Sequence, residues 1–481
     1  MRRATPLFAL LLPVFLLPAL LSPVAAADAA QPATRIPQAA LDTAAQLRAT
    51  ALADNTGWQV VESLTTEVGP RPGGSAADAR AVGWAKAKFE ALGFDKVWTE
   101  PVTFPNWERR SEHAEVLGPH SQALVVTALG GSPGGTVAGQ VVRFPDLDSL
   151  QKVAPGSLKG KIAFIDYRMQ RAQDGHGYGM GSRVRGAGPA AAVNAGAAAY
   201  LMRSASTTPN RFAHTGGTRF GKDQAPIPSA ALSNPDADQL TRLLALDPST
   251  EVRLALDCGW TGEYTSQNVI GEITGSSRPD EIVLIGGHLD SWDLGTGAID
   301  DAAGIGISMA AAKLISDLPQ HPARTIRVVA FANEERGLFG GFAYAKAHAD
   351  ELVKHAIVSE SDFGAGRIYG FDAGVADDAD DAVQQIAKAL EPLGIEWRPG
   401  EGEPESDVGP YAENGAAWAW LGHDGTNYFD LHHNADDTLD KIDPQALAQN
   451  VAAYAVFTYL AAQAEGDFGS SPERAQVRNR R

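Results

Sequence analysis

The chain has 481 residues, of which 44% are hydrophobic and 20% charged, and its formal net charge is -18 at pH 7. This length exceeds one typical domain, and the composition is that of a globular protein rather than a disordered chain or a disulfide scaffold. The acidic balance argues against nucleic acids and anionic membrane surfaces as partners, because phosphate binding needs clustered lysine and arginine.

The N-terminus has the pattern of a secretion signal. Two arginines precede an apolar run over residues 7–21, and small residues at 24–27 precede Asp28. We therefore expect a signal peptide at residues 1–27, and a secreted or periplasmic location with no membrane contact after cleavage. A transmembrane anchor is the alternative, but prolines interrupt a run already short for a bilayer.

Residues 28–118 begin a first domain, and residues 119–262 have a different sequence pattern. The second stretch alternates short β-like runs with turns rich in Gly and Pro, so we predict a β-rich inserted domain. Cys258, the only cysteine in the chain, excludes an intrachain disulfide. The predicted elements up to residue 262 are a helix at 75–93, strands at 97–104, 123–129, 139–144 and 161–167, and a helix at 190–199.

Residues 263–468 alternate apolar strands with helical patterns. Strands are predicted at 281–285, 325–331 and 356–359, and a final helix starts at Asp443-Pro444. Such alternation implies an α/β fold, with a mostly parallel mixed sheet flanked by helices, in which chemistry gathers at the strand ends. The Arg-rich end at 469–481 is predicted to be a disordered tail.

Carboxylates and histidines follow these strands. Because clustered carboxylates repel one another unless a cation lies among them, their occurrence at successive strand ends predicts a metal site. Imidazole nitrogen and carboxylate oxygen are ligands that suit zinc. The candidates are His288, Asp300, Glu334, Glu335, Asp362 and His433.

Five short segments resemble the co-catalytic dizinc aminopeptidases and carboxypeptidases, and within them the carboxypeptidase Q group. These segments are GHLDSWD at 287–293, DD at 300–301, EE at 334–335, ESD at 360–362 and FDLHH at 429–433. The resemblance covers nearly the whole chain after the signal. It implies a zinc exopeptidase fold in which the insert is similar to a protease-associated domain and covers the cleft.

The resemblance also implies two zinc ions per chain that share Asp300. One ion takes His288 and Asp362, and the other takes Glu335 and His433. In such enzymes the peptide bond after the bridging aspartate tends to be cis.

By the same resemblance, Glu334 is the general base. It accepts a proton from the water held between the two metals and passes it to the leaving amine. Asp290 is placed to orient the imidazole of His288.

Two positions in the motifs have neighbours that compete with them. Asp301 could replace Asp300, and His432 could replace His433. Spacing in the family favours Asp300 and His433, which leaves His432 as a pocket or supporting residue. The other histidines, His214 among them, are assigned surface or packing roles. Asp407 is a weaker candidate for contact with the substrate amino terminus.

The resemblance implies short peptide substrates with free termini, dipeptides above all, and a homodimer. Because a dipeptide has a single peptide bond, cleavage of that bond releases the N-terminal and the C-terminal residue at once. An aminopeptidase acting on longer peptides is the alternative enzyme. A metal-free binding protein that kept the fold, or transfer chemistry at one zinc, are alternatives of a different class.

Overall fold

The computed structural model describes residue 1 and residues 33–475, and residues 33–475 lie in one compact unit. Beyond Met1, the predicted signal peptide lies outside the described residues. Within the described ranges no helix combines the length and the apolar character needed to cross a bilayer.

The strands of the described chain are joined into one extended sheet. They are β1 (Lys96–Val116), β2 (Gln122–Leu124), β3 (Val126–Ala128), β4 (Gly135–Phe144), β5 (Ile162–Ile165), β6 (Ala199–Arg203), β7 (Ser229–Leu232), β8 (Glu251–Ile273), β9 (Arg278–His288), β10 (Arg324–Phe331), β11 (His355–Glu360), β12 (Ile368–Gly374), β13 (Glu396–Trp397) and β14 (Trp418–His423). Their order is β13-β12-β14-β11-β9-β10-β8-β4-β5-β6-β7-β3, with β1 paired to β2 and β8.

Helices flank this sheet. They are α1 (Gln38–Ala53), α2 (Thr56–Ser63), α3 (Ala76–Ala91), α4 (Leu147–Gln151), α5 (Tyr178–Asn194), α6 (Asn234–Leu246), α7 (Ala303–Ser316), α8 (Phe339–Ala347), α9 (Asp380–Leu390), α10 (Gly409–Glu413), α11 (Tyr428–Leu431) and α12 (Pro444–Gln463). The expected α/β fold, with a large mixed sheet flanked by helices, is confirmed.

The centre of the sheet is parallel, since β9 pairs in parallel with both β10 and β11. Alternate residues of these strands point into different apolar clusters. Val283 and Ile285 of β9 join the core under α7 and α12, whereas Ile282 and Leu284 join a second core with α8 and α10. Burial on both faces explains why the strands are continuously apolar in sequence. Because the three strands pair in parallel, their carboxyl ends lie at one edge of the sheet.

The final helix begins where the sequence predicts. Pro444 occupies its first turn, and the Asp443 side chain accepts a hydrogen bond from the backbone N–H of Gln445 at 2.9 Å. The helix packs against α1 and α7, and nearly every residue from 446 to 462 is buried. This packing fixes α7 behind the sheet.

The first half of the chain departs from the prediction at three points. β1 runs far beyond the predicted 97–104 and pairs with β8 along its whole length, although Pro101 and Pro105 argue against a continuous strand. The predicted strand 123–129 is two strands with different partners. The predicted helix 190–199 is the end of α5, because Gly196 adopts a φ of +81° and β6 follows.

The strands β3 to β7 form a sheet with its own apolar clusters, and this sheet joins the rest through β4 and β8. The boundaries of the expected insert at 119 and 262 stay a prediction. At the other end, the structure describes residues 469–475, and the disordered tail expected at 469–481 stays a prediction. Ser470 donates its hydroxyl to the His355 carbonyl at 2.5 Å and is 7% exposed.

Candidate metal centre

Several of the candidate residues lie at the carboxyl edge of the parallel strands. His288 is the last residue of β9, Glu334 and Glu335 follow β10, and Asp362 follows β11. Because these strands are neighbours in parallel register, residues far apart in sequence come together at one edge.

Asp300 lies between two groups of these side chains, in the turn that leads into α7. Its Oδ1 is 2.9 Å from Nε2 of His288, and its Oδ2 is 3.2 Å from Nε2 of His433. The carboxylate is 3% exposed, and the peptide bond between Asp300 and Asp301 is cis, as the resemblance implies. One carboxylate therefore faces two separate imidazoles through its two oxygens.

The remaining candidates complete these two groups. Nε2 of His288 is 3.3 Å from Oδ1 of Asp362, and Nε2 of His433 is 2.9 Å from Oε2 of Glu335. The ligand atoms of His288, Asp300 and Glu335 all lie within 4.8 Å of one another, as do those of His288, Glu334 and Asp362. The structure thus brings all six candidates into one cluster.

The donor set fits zinc. In the described chain, Oδ2 of Asp300 and Oε1 of Glu335 are buried carboxylate oxygens without a hydrogen-bond donor. Buried negative charge is costly unless a cation or a donor compensates it. A pair of imidazole–carboxylate groups joined by one carboxylate is a donor arrangement suited to two divalent ions with nitrogen and oxygen preference.

Asp301, the competitor for the shared position, is occupied elsewhere. Its Oδ2 accepts from the backbone N–H of His288 at 3.0 Å, and its Oδ1 accepts from the N–H of Gly304 at 2.8 Å. Both oxygens therefore hold the backbone that presents His288 and starts α7. Asp300 is the aspartate that faces the histidines.

His432, the competitor for the last ligand, also approaches the cluster. Its Nε2 is 3.4 Å from Oδ2 of Asp300, but its Nδ1 lies 2.8 Å from Nε2 of His214. His433 contacts both Asp300 and Glu335, so it is the imidazole placed between two carboxylates. His214 is fully buried beside His432, and this partnership was missed because nothing near residue 214 matches a ligand motif.

Asp290 connects a candidate ligand to the candidate base. Nδ1 of His288 lies 3.1 Å from the Asp290 carbonyl oxygen and 3.6 Å from its Oδ1. The carboxylate itself accepts from the backbone N–H of Glu334 at 3.0 Å. The imidazole of His288 is thus oriented mainly by the Asp290 backbone carbonyl. The Asp290 side chain instead accepts the hydrogen bond from the backbone N–H of Glu334.

The electrostatics follow from burying carboxylates together. Burial, reinforced by the nearby Asp362 carboxylate, raises the pKa of Glu334 well above its usual value. Burial likewise raises the pKa of Glu335 to about 7, with the Asp300 carboxylate adding to the shift. Burial lowers the pKa of His433, but the carboxylates of Glu335 and Asp300 outweigh it and raise the value to about 9. The cluster attracts positive charge.

A cavity of about 360 Å³ opens onto this cluster. One wall, which we call the metal wall, carries Asp300, Glu334, Glu335, Asp362 and His433. A second group of lining residues, which we call the α5 wall, consists of Tyr178, Ser182 and Arg185 of the helix α5. The other lining residues are Phe363, Glu405, Ser406, Tyr428, Phe429 and His432.

Asp407, the candidate for substrate contact, does not line the cavity. It is 1% exposed, and its Oδ1 accepts from the backbone N–H of Gly341 at 2.8 Å. Glu405, two residues earlier, lines the cavity instead, and burial together with the charge of Asp362 raises its pKa to about 8. Ser406 donates to Oδ2 of Asp362 at 2.5 Å, a contact that no sequence pattern indicated.

Comparisons with known proteins identify the family of this chain. The model of peptidase family M28 matches residues 268–458. Carboxypeptidase Q from Bos taurus is 32% identical over 418 residues, which cover 86% of this chain and 86% of the relative.

Solved structures give the same picture. The crystal structure of a peptidase M28 precursor from Shewanella amazonensis SB2B is 49% identical with a TM-score of 0.88, and the match covers 89% of this chain and 98% of that one. An aminopeptidase from Aneurinibacillus sp. strain AM-1 shares the fold at 21% identity and a TM-score of 0.59, over 87% of this chain and 96% of its own.

Proposed function

This chain belongs to peptidase family M28 and is a zinc exopeptidase, and on that premise we propose that it is an exported enzyme that hydrolyses dipeptides and short peptides with free termini at a two-zinc centre. The single observation that carries the proposal is the Asp300 carboxylate. Its two oxygens face His288 at 2.9 Å and His433 at 3.2 Å.

In the proposed centre, His288 and Asp362 would hold one ion, and Glu335 and His433 would hold the other. Asp300 would contribute to both. Bound zinc would polarise the scissile carbonyl and lower the pKa of a water nucleophile. Ser406 supports one ligand, because its hydroxyl donates to the far oxygen of Asp362.

Glu334 is the proposed general base. It lines the cavity beside Asp362, but unlike Glu335 it has no contact with His433 that would commit it to ligation. Burial raises its pKa, so the carboxyl group can keep the proton it takes from water and return it to the leaving amine. Asp290 positions this base by accepting a hydrogen bond from its backbone.

Glu405 is the proposed partner of the substrate amino group, in place of Asp407. It adds a carboxyl group to a cavity that already carries the carboxylates of the metal wall, and an ammonium group beside it would favour its ionised form. An ammonium group entering this cavity is favoured by that negative charge. The small cavity and the likeness to carboxypeptidase Q both support short substrates.

The test combines metal analysis with a matched substrate series. Zinc in the purified chain is measured by mass spectrometry, and hydrolysis is followed for a dipeptide, its N-acetyl form, a tripeptide and a pentapeptide. We expect about two zinc ions per chain, fastest cleavage of the dipeptide and loss of cleavage on N-acetylation. Faster cleavage of the pentapeptide would favour an aminopeptidase for longer chains, and a chain without zinc or hydrolysis would favour a binding protein.

Three further properties complete the proposal. Export rests on the signal pattern at residues 1–27, and N-terminal sequencing of periplasmic or secreted protein checks cleavage after Ala27. The insert at 119–262 is proposed to cover the cleft, because α5 belongs to this stretch and lines the cavity. A homodimer is the proposed assembly, and light scattering of the purified chain gives its mass.

A further inference from the structure

The loop of residues 289–297, which precedes Asp300, is anchored away from the parallel strands. Its Trp292 is 4% exposed and belongs to the apolar cluster that β3 to β7 share with β1 and β8, where its ring lies 6.5 Å from the ring of Trp107. A Cβ on Gly130, two residues after β3, would lie 2.4 Å from the Trp292 ring, so the backbone packs directly against that ring. The position of this loop therefore depends on a distant part of the chain.

The next residue of this loop, Asp293, pairs with Arg109 of β1. Nε and Nη2 of the guanidinium lie 3.0 Å and 2.8 Å from the two carboxylate oxygens of Asp293. The side chain of Arg109 is 5% exposed, so the pair is shielded from water on the arginine side. Two parallel hydrogen bonds of this kind resist rotation as well as displacement. The pair therefore fixes both the position and the orientation of the loop.

The same guanidinium also holds residues near β3 and in the loop between β6 and β7. Its Nη1 donates to the Thr127 hydroxyl and to the Ala128 carbonyl, the latter at 3.1 Å, and its Nη2 donates to the Thr215 hydroxyl at 3.3 Å. The Thr215 hydroxyl in turn donates to the Ala128 carbonyl at 2.9 Å. Arg109 is thus shared between the loop before Asp300 and the surroundings of Thr215.

The backbone of Thr215 pairs with His433, a proposed metal ligand. The Thr215 N–H donates to the His433 carbonyl at 3.0 Å, and Nδ1 of His433 lies 3.2 Å from the Thr215 carbonyl oxygen. Because a carbonyl oxygen can only accept, the ring proton of the neutral imidazole stays on Nδ1. Nε2, which faces Asp300 and Glu335, is then the nitrogen with a free lone pair for a metal ion.

The backbone of His433 needs this support. Its φ is +59°, a left-handed conformation that a residue with a Cβ adopts only at a cost in free energy. The two hydrogen bonds with Thr215, which is fully buried, hold His433 in that conformation. His288, by contrast, ends the strand β9, which is paired on both sides. The ion site at His433 is therefore the one that depends on distant contacts.

We propose that Arg109 is a positioning residue of the metal centre, because it ties the loop of Asp293 to the segment that orients His433. The ion proposed at Glu335 and His433 is then retained only while this link is intact. This inference rests on the proposed two-zinc centre and adds a support from outside the cavity. Arg109 is not among the described residues that line the cavity, so it acts through its partners.

The test measures zinc retention rather than turnover. Purified protein is dialysed against a zinc chelator at increasing concentrations, and zinc per chain is determined by mass spectrometry. We expect Arg109→Gln to fall from two zinc ions to one at a chelator concentration about 10–100-fold lower than the wild type does, the usual effect of residues that support metal ligands. Equal retention by variant and wild type would overturn the proposal. A wild type that never holds a second zinc ion would instead contradict the proposed two-zinc centre, and this inference would fall with it.

A second variant acts on the other side of the pair. Asp293→Asn keeps the shape of a side chain that is 29% exposed, so it is the milder change and decides the test if Arg109→Gln fails to fold. It should also lower zinc retention, and the double variant should lose no more than Arg109→Gln alone, since both residues act through one contact. Arg110→Gln is the matched control. Its side chain forms an exposed pair with Asp257 at 2.8 Å, and the variant should retain zinc as the wild type does.

A role in folding alone would give a different pattern. A lower melting temperature of the metal-free Asp293→Asn protein, with zinc retention unchanged, would mean that the pair only supports the fold and would overturn the proposal. Excess zinc should return kcat of Arg109→Gln to the wild-type value at an unchanged KM, because the variant removes no group that contacts the substrate. A kcat that stays low in fully loaded protein would show that the link does not act through metal retention, which would also overturn the proposal.

Discussion

The metal wall and the α5 wall face one cavity but are built in different ways. The metal wall gathers residues that follow parallel strands, together with Asp300 and His433 from turns, and the carboxylates and imidazoles of the metal centre contact each other at 2.9–3.3 Å. The α5 wall comes from a single helix, and its charged residue has neutral partners. The metal wall therefore depends on contacts among several segments of the chain, whereas the α5 wall depends on side chains of one helix that can be changed one at a time.

This difference predicts two classes of variant. Changes in the metal wall should alter metal content or kcat for every substrate. Changes in the α5 wall should alter KM while metal content stays at the wild-type value. A metal-wall variant that changed only KM would break the distinction.

The largest effect is expected for Asp300→Ala. Because Asp300 is common to both proposed ion sites, its loss should remove metal and reduce hydrolysis to background. Zinc analysis and dipeptide hydrolysis measure the two effects together. Glu403→Gln, an exposed acidic position near the cavity, is the control, and full zinc in the Asp300 variant would contradict the shared role.

Glu334→Gln separates catalysis from metal binding. Loss of a general base typically costs about 10²–10⁴-fold in rate, so kcat should fall by that factor. Zinc content should stay at the wild-type value, since Glu334 is not a proposed ligand. Turnover close to wild type would remove Glu334 from the mechanism.

Asp290→Ala should give a smaller loss, about 10–100-fold, as for other residues that support metal ligands. The variant keeps the backbone carbonyl near His288 but loses the acceptor for the Glu334 backbone N–H. We therefore expect a loss in kcat with little loss of zinc. Asp290→Asn retains an acceptor oxygen. A kcat close to wild type in this variant would show that the hydrogen bond to Glu334, rather than the charge of Asp290, supports catalysis.

Tyr178→Phe is expected to have the smallest effect and tests the α5 wall. Removing the hydroxyl takes one hydrogen-bond acceptor from Arg185 at a cost of about 0.5–1.5 kcal/mol, which corresponds to a rise of roughly 2–10-fold in KM for a dipeptide. Because the pKa of Tyr178 is about 12, the hydroxyl is protonated at both pH 6 and pH 9. The ratio of the variant KM to the wild-type KM should therefore be the same at pH 6 and at pH 9.

Sequence reasoning worked best where a local pattern carries the information. The strands β9, β10 and β11 are apolar on both faces, and the pair Asp443-Pro444 starts α12 as expected. The metal-wall residues were found because each lies directly after a strand or in a recognisable segment. Each of these features can be predicted from residues that are close to one another in the sequence.

Other features had no local signal. Asp407 was a reasonable candidate by sequence, but its side chain turns to the backbone of Gly341, and Glu405 faces the cavity. The contact between His214 and His432 joins positions 218 residues apart. Which side chain enters a cavity is decided by the path of a loop, and composition does not encode that path.

By itself, the sequence determined the α/β class, the strands β9, β10 and β11 with the helix α12, and a set of candidate residues for zinc binding. These follow from apolar periodicity and from the chemistry of side chains at strand ends. Only the tertiary structure decided that Asp300 rather than Asp301 faces the histidines, and that Arg185 of α5 lines the same cavity as the carboxylates. Such choices depend on packing between distant segments, because two atoms a few ångströms apart in space can belong to any two positions in the chain.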